Sequence, residues 1–128
     1  MRDWVIFDEG QYLVVAALLV SPRENAVALP ETIFDVYTGR NGIRQLRGKT
    51  MVQNVFVVEL LEDGDPLDLF LDFGDEFKFL MRDPIIQAGK VFAPNVKSLI
   101  HIFPRTPWEQ ISAETFQGLG ARLNFISP

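Results

Sequence analysis

The sequence predicts a mainly β protein (β-rich α+β), a small antiparallel β-barrel or sandwich with a central three-stranded meander and one C-terminal helix packed on it. Three observations carry this expectation. Short apolar segments with strand-like alternation recur along the chain, turn signals such as Asn41-Gly42 and Gly74-Asp75-Glu76 separate them, and a strong helix-start signature occurs once, near the C-terminus. At 128 residues the chain fits one domain, long enough to bury a core without staples.

The first third reads as strands. Trp4 to Phe7 is followed by a turn at Asp8-Glu9-Gly10, then by Gln11 to Val20, whose Val/Ala/Leu content implies burial on both faces. Gly10 and Ser21-Pro22 bracket that run at strand length, and helix-capping signals are missing, so a strand is preferred over a buried helix. A polar turn, Pro22 to Asn25, leads to Ala26 to Leu29, and after Pro30 to the strand Thr32 to Thr38.

Asn41-Gly42 is a two-residue hairpin signal, since a type I′ turn needs positive φ at both central residues. It would pair Arg40 with Ile43 and return the chain through Arg44 and Arg47. With Gly39, Gly42 and Gly48 in the same stretch, a projecting basic arm is expected at about residues 38–50.

Residues Val55 to Arg82 form the expected meander. Its second hairpin can be registered by chemistry. Placing Phe73 opposite Phe77 puts Leu71 opposite Phe79 and Leu69 opposite Met81 on one face, and Asp72 opposite Lys78 and Asp68 opposite Arg82 on the other. Any one-residue slip mixes charge into both faces. A first hairpin, turning at Asp63-Gly64, would pair Leu60 with Leu67, Val58 with Leu69 and Phe56 with Leu71. It would also align Val57, Phe70 and Leu80 as an apolar row on the outer, otherwise charged face, with Glu59 opposite Asp68.

Val96 to Phe103 reads as a strand. Thr106-Pro107-Trp108-Glu109 matches a capping box, with Thr106 as N-cap, Pro107 at N1 and Glu109 at N3. Trp108, Ile111, Thr115 and Leu119 follow on one helical face, Gly118 or Gly120 ends the helix, and Arg122 to Ile126 closes as a strand.

Composition excludes several chemistries. With no cysteine there are no disulfides, thiol nucleophiles or Cys-bound metals. The glycines form neither a phosphate-binding loop nor a dinucleotide fingerprint, and no serine stands in a nucleophile elbow. The lone His101 shares its strand face with Lys97, Leu99 and Phe103 and reads as a structural histidine rather than a general base. Eight carboxylates fall between Glu59 and Glu76 with no base among them, yet they lack the ligand alternation of a calcium loop. Asp68 and Asp72 share a strand face roughly 13 Å apart, too far to act as a catalytic pair. No catalytic residue, metal or cofactor is expected.

The longest apolar run, Tyr12 to Val20, is about half a membrane span, and acids rather than bases precede it, so neither a transmembrane segment nor a signal peptide is expected and a cytoplasmic location is the default. The net charge of −5 disfavours nucleic acid as main partner. That charge is segregated: Arg40, Arg44, Arg47 and Lys49 contribute +4 in a stretch without acids, leaving −9 elsewhere. Arg40, Arg44, Arg47, Lys49, Val57, Phe70 and Leu80 are therefore the candidate interaction residues, for a non-catalytic protein–protein interaction or assembly subunit whose partner is another copy or an acidic protein surface. The size, β content and missing active site suit a viral or phage particle subunit of connector, terminator or decoration type, which would place it in the virion. Alternatives are a small-ligand-binding β-barrel and a nucleic-acid accessory protein acting through the basic arm.

Overall fold

The computed structural model describes residues 4–62, 64–87 and 97–126. In chain order the elements are β1 (Gly10–Leu13), β2 (Ala16–Val20), β3 (Asn25–Ala28), β4 (Ile33–Thr38), β5 (Arg44–Gln53), α1 (Asn54–Leu61), β6 (Asp68–Asp72), β7 (Lys78–Arg82), β8 (Ile85–Gln87), β9 (Lys97–Phe103), β10 (Glu109–Ile111), α2 (Ala113–Leu119) and β11 (Asn124–Phe125). They build a five-stranded sheet, β1-β4-β5-β9-β8, and a six-stranded sheet, β10-β7-β6-β2-β3-β11. Neither closes on itself, so of the two expected architectures the chain adopts the sandwich.

The β6–β7 hairpin has the register that its chemistry demands. Leu69 faces Met81 and Leu71 faces Phe79 on the inner side, while Asp68 meets Arg82 and Asp72 meets Lys78 outside. Phe73 donates its amide to the Phe77 carbonyl at 2.9 Å, closing a three-residue loop, and the Asp72 side chain accepts the Gly74 amide at 2.7 Å. Leu69, Leu71, Phe79 and Met81 are all buried in the core shared by both sheets.

The first strand of the expected meander does not form. Asn54 to Leu61 is α1, and β2 takes the place beside β6, with Ala17 opposite Leu71 and Leu19 opposite Leu69. The residues of α1 fit both periods: Phe56, Val58 and Leu60 alternate as in a strand, while Val57 and Leu60 lie three apart on one helical face. β2 offers only short or aliphatic side chains to β6, so the like-charge pair of Glu59 and Asp68 is avoided. Asp63, part of the expected turn, lies outside the described residues.

The apolar run from Gln11 to Val20 is two strands in two sheets. The Val14 amide donates to the Thr32 carbonyl at 3.0 Å on the five-stranded side, and the next amide, Val15, donates to the Asp72 carbonyl at 2.7 Å on the other. The chain changes layers within one peptide. Burial on both faces, expected from composition, does not hold: Leu13 and Val15 are each 71% exposed at this corner.

The Trp4 to Phe7 segment is irregular rather than a strand, but it closes one end of the sandwich. The Phe7 ring stacks on Tyr12 at 4.9 Å and meets Phe73 and Trp108 edge-on at 5.2 and 5.9 Å. Trp108 lies flat on Phe79 at 4.0 Å. This contact overturns the capping box, because Trp108 is a core residue and Glu109 to Ile111 form β10 beside β7. The Glu109 carboxylate accepts from Arg82 Nε at 2.6 Å instead of reaching a helix N-terminus. α2 starts at Ser112, whose hydroxyl accepts the Thr115 amide at 3.0 Å, and ends at Gly120.

β10 and β11 lie at opposite edges of the six-stranded sheet, five strand spacings or about 24 Å apart. The inner face is filled by the core, so the segment carrying α2 crosses the outer face. Leu119, Val20, Ala26 and Leu80 are buried yet do not belong to the inter-sheet core, as a covered outer face requires.

The Asn41-Gly42 hairpin forms with a one-residue correction. The Gly39 amide donates to Ile43 at 2.9 Å, so Arg40, Asn41 and Gly42 make a three-residue loop. Only Gly42 takes a positive φ, +77°, the bulged alternative to a type I′ turn. Beyond it the chain does not project. β5 is the central strand of its sheet, paired with β4 and β9.

Two stability outcomes follow from this packing. A Cβ at Gly48 would lie 2.6 Å from the tip of the Phe34 ring, so Gly48→Ala is expected to cost about 1–3 kcal/mol in urea unfolding, partly recovered by adding Phe34→Leu. Lys78 is 9% exposed and its ammonium sits 3.1 Å from Asp72. Asp72→Ala strands that charge and is expected to cost about 3 kcal/mol, whereas Lys78→Met costs less because it removes the charge itself.

Candidate functional site

Strand alternation sorts the basic residues of β5 onto two faces. Leu46, Gly48, Thr50 and Val52 point inward and are buried; Arg47, Lys49 and Met51 point outward. Arg47 lies 3.6 Å from the Asp35 carboxylate and its guanidinium sits 4.8 Å above the Tyr37 ring. Lys49 is flanked across the ladder by Ile33 and His101, and His101 in turn by Gln87. The His101 ring is nearly parallel to that of Phe103, at 6.4 Å. Together Asp35, Arg47, Lys49, Gln87, His101 and Phe103 line a concave patch of about 380 Å³ on the outer face of the five-stranded sheet.

Around this patch the same face carries apolar side chains in the open. Leu13 stands opposite Ile33, Leu99 opposite Met51 and Ile85 opposite Phe103. Leu13 is 71%, Leu99 47% and Ile85 38% exposed. A cationic centre ringed by apolar residues suits an acidic protein surface: Arg47 and Lys49 supply N–H donors to carboxylates, and the ring supplies area that loses water on contact.

The other candidate residues are placed elsewhere. Arg40 is exposed at the hairpin tip. Arg44 turns toward the N-terminal segment, donating to the Phe7 carbonyl at 3.0 Å and the Val5 carbonyl at 3.5 Å, with the Asp8 carboxylate also 3.5 Å away. It anchors the peptide that closes the aromatic end. The expected row of Val57, Phe70 and Leu80 is broken: Val57 is fully buried on α1, while Phe70 and Leu80 are cross-strand neighbours on the face that the C-terminal segment crosses.

The comparisons add no relative. No protein-family model, curated protein or solved structure matches the chain significantly. Among the described residues no three His, Asp or Glu side chains gather as a metal site, and no helix is long and apolar enough to cross a membrane. Two described acids of the 59–76 stretch have cationic partners, Asp72 at 3.1 Å from Lys78 and Asp68 at 4.0 Å from Arg82; Arg82 also donates to Glu109 at 2.6 Å, and that hydrogen bond, with the carboxylate's charge, holds the guanidinium pKa above its ordinary value.

His101 is the member of the patch that a sequence reading assigns to packing. It is 52 positions from Lys49, and only the β5–β9 register brings the two together. The two arginines one hairpin apart separate cleanly by experiment. Arg44→Ala is expected to cost about 2 kcal/mol of stability, because it frees two carbonyls and an acid at the aromatic end, while Arg40→Ala stays within about 0.5 kcal/mol. Thermal and urea unfolding of the two variants check this.

Proposed function

We propose that the chain is a non-catalytic assembly module that associates with other copies of itself, the outer face of the five-stranded sheet being the binding surface. The observation that carries this reading is the patch of Arg47, Lys49 and His101 ringed by the exposed Leu13, Leu99 and Ile85. A monomer gains nothing by holding cations and aliphatic side chains together in water. A partner that brings carboxylates to the first and covers the second gains from both.

The complementary surface is on the far side of the same molecule. Asp75 and Glu76 at the β6–β7 loop and Glu114 on α2 are exposed around the six-stranded sheet, where Asp68 and Glu109 are also only partly neutralised by Arg82. Patches of opposite sign on opposite layers favour heterologous, head-to-tail contacts, which close into rings or extend as filaments. A structural subunit of a larger particle is the setting in which such contacts are used.

Light scattering across protein concentration and salt tests the reading. The expected result is a mass that rises with concentration at low ionic strength, falls toward the monomer as salt screens the contact, and stays monomeric in Arg47→Glu/Lys49→Glu. Restored association on mixing that variant with Asp75→Lys/Glu76→Lys identifies the two faces. A wild-type chain that is monomeric under every condition overturns the self-association.

A further inference from the structure

A second feature, independent of the assembly surface, lies where the two sheets part beside α1. A groove of about 470 Å³ opens there, lined among the described residues mainly by apolar side chains from both layers and from α1. Ala16, Ala17 and Ala28 from β2 and β3, Leu29, and Phe56 of α1 contribute to its lining, and Val15 beside them is 71% exposed. Its size is that of small-molecule sites.

The walls are fixed. Thr32 and Thr50 are each 1% exposed; the Thr50 hydroxyl donates to the Pro30 carbonyl at 2.6 Å, and the single proton of the Thr32 hydroxyl is shared between the Leu29 carbonyl at 2.9 Å and Thr50 Oγ1 at 3.2 Å. The Thr50 bond ties the Leu29-Pro30 wall to the central strand β5, and the Thr32 bond closes the turn between that wall and β4, so both hold the wall in place. Among the described residues its polar side chains are confined to one edge. Gln53 and Lys97 are direct cross-strand neighbours at the ends of β5 and β9, and both line the groove. The Lys97 ammonium has Glu31 3.7 Å away, but the two side chains are 51% and 66% exposed, and such a surface pair is weak enough to yield to a better-placed anion.

An apolar trough with an amide and an ammonium at one end is complementary to a molecule that is aliphatic along its length and anionic at one terminus. We infer that this groove binds a medium-chain aliphatic carboxylate, with the hydrocarbon over Ala17, Val52 and Phe56 and the carboxylate at Lys97 and Gln53.

The test titrates octanoate, decanoate and decanol into the full chain, followed by amide chemical shifts and calorimetry. Decanoate is expected to bind about tenfold more tightly than octanoate, because each buried methylene contributes a factor of about four at full burial, with shifts centred on Ala16, Ala17, Leu29 and Phe56. Decanol is expected to bind several-fold more weakly than decanoate, and Lys97→Met to abolish that difference while leaving decanol unchanged. Ala28→Trp, at an exposed position on the groove, is expected to block both ligands, and Val15→Glu, also on the lining, to weaken decanoate more than decanol. No shifts at up to about 1 mM decanoate, binding unchanged in both Ala28→Trp and Val15→Glu, or a carboxylate preference that survives Lys97→Met would each overturn the assignment.

Discussion

The six-stranded sheet is organised by one constraint: Leu69, Leu71, Phe79 and Met81 must share a dry face while Asp68, Asp72, Lys78 and Arg82 stay on the other. Side chains alternate with a period of two, so a one-residue slip of β6 against β7 breaks it, and among the registers that keep the faces the observed one pairs Asp68 with Arg82 and Asp72 with Lys78. Once that register is set, the neighbours are selected by what they bring to each row. β2 supplies Ala17 and Leu19 to the inner face and Leu18 beside Phe70 to the outer one. β10 supplies Glu109 beside the Leu80–Arg82 corner, where Arg82 can bridge two carboxylates. Trp108, one residue before β10, is thereby carried onto Phe79 and into the core.

The two layers are joined by the peptide between Val14 and Val15, whose successive amides bond to different sheets. A chain that turns this sharply leaves gaps at the corner, and they are treated differently at the two ends of the sandwich. At one end the Trp4 to Phe7 segment folds back, is held by Arg44 through two carbonyls, and fills the gap with rings from Phe7, Tyr12, Phe73 and Trp108. At the other end α1 enters with Val57 and Leu60 but does not fill the space beside the alanines of β2 and β3, and an apolar groove remains.

The outer faces are likewise unequal. On the six-stranded sheet the apolar outer row of Leu18, Phe70 and Leu80 lies under the C-terminal crossing, which runs from one sheet edge to the other and brings Leu119 out of solvent. On the five-stranded sheet Leu13, Leu99 and Ile85 remain in water around Arg47, Lys49 and His101. The charge segregation visible along the chain thus becomes a segregation between layers, with β5 carrying the cations to one side and the β6–β7 loop and α2 carrying acids to the other.

The sequence by itself determined what depends on neighbours in the chain. The mainly β class, the β6–β7 register with its ion pairs, the glycine at the Asn41-Gly42 turn and the end of α2 at one of two glycines, Gly118 or Gly120, follow from alternation, turn chemistry and capping within a few residues, and the structure ends it at Gly120. Tertiary structure decided wherever a segment was compatible with two local states or two partners. Residues 54–61 fit helix and strand alike, and β2 took the place beside β6 that they would otherwise fill. Thr106 to Glu109 spelled a helix start, but stacking Trp108 on Phe79 and pairing Glu109 with Arg82 stabilise the extended form. The uniform apolar run of Tyr12 to Val20 gave no sign of the change of layer at Val14–Val15, because a corner is set by where both sheets stand. The patch at Arg47, Lys49 and His101 was half legible for the same reason: alternation puts Arg47 and Lys49 on one face, and only the pairing of β5 with a strand some fifty residues away adds the histidine.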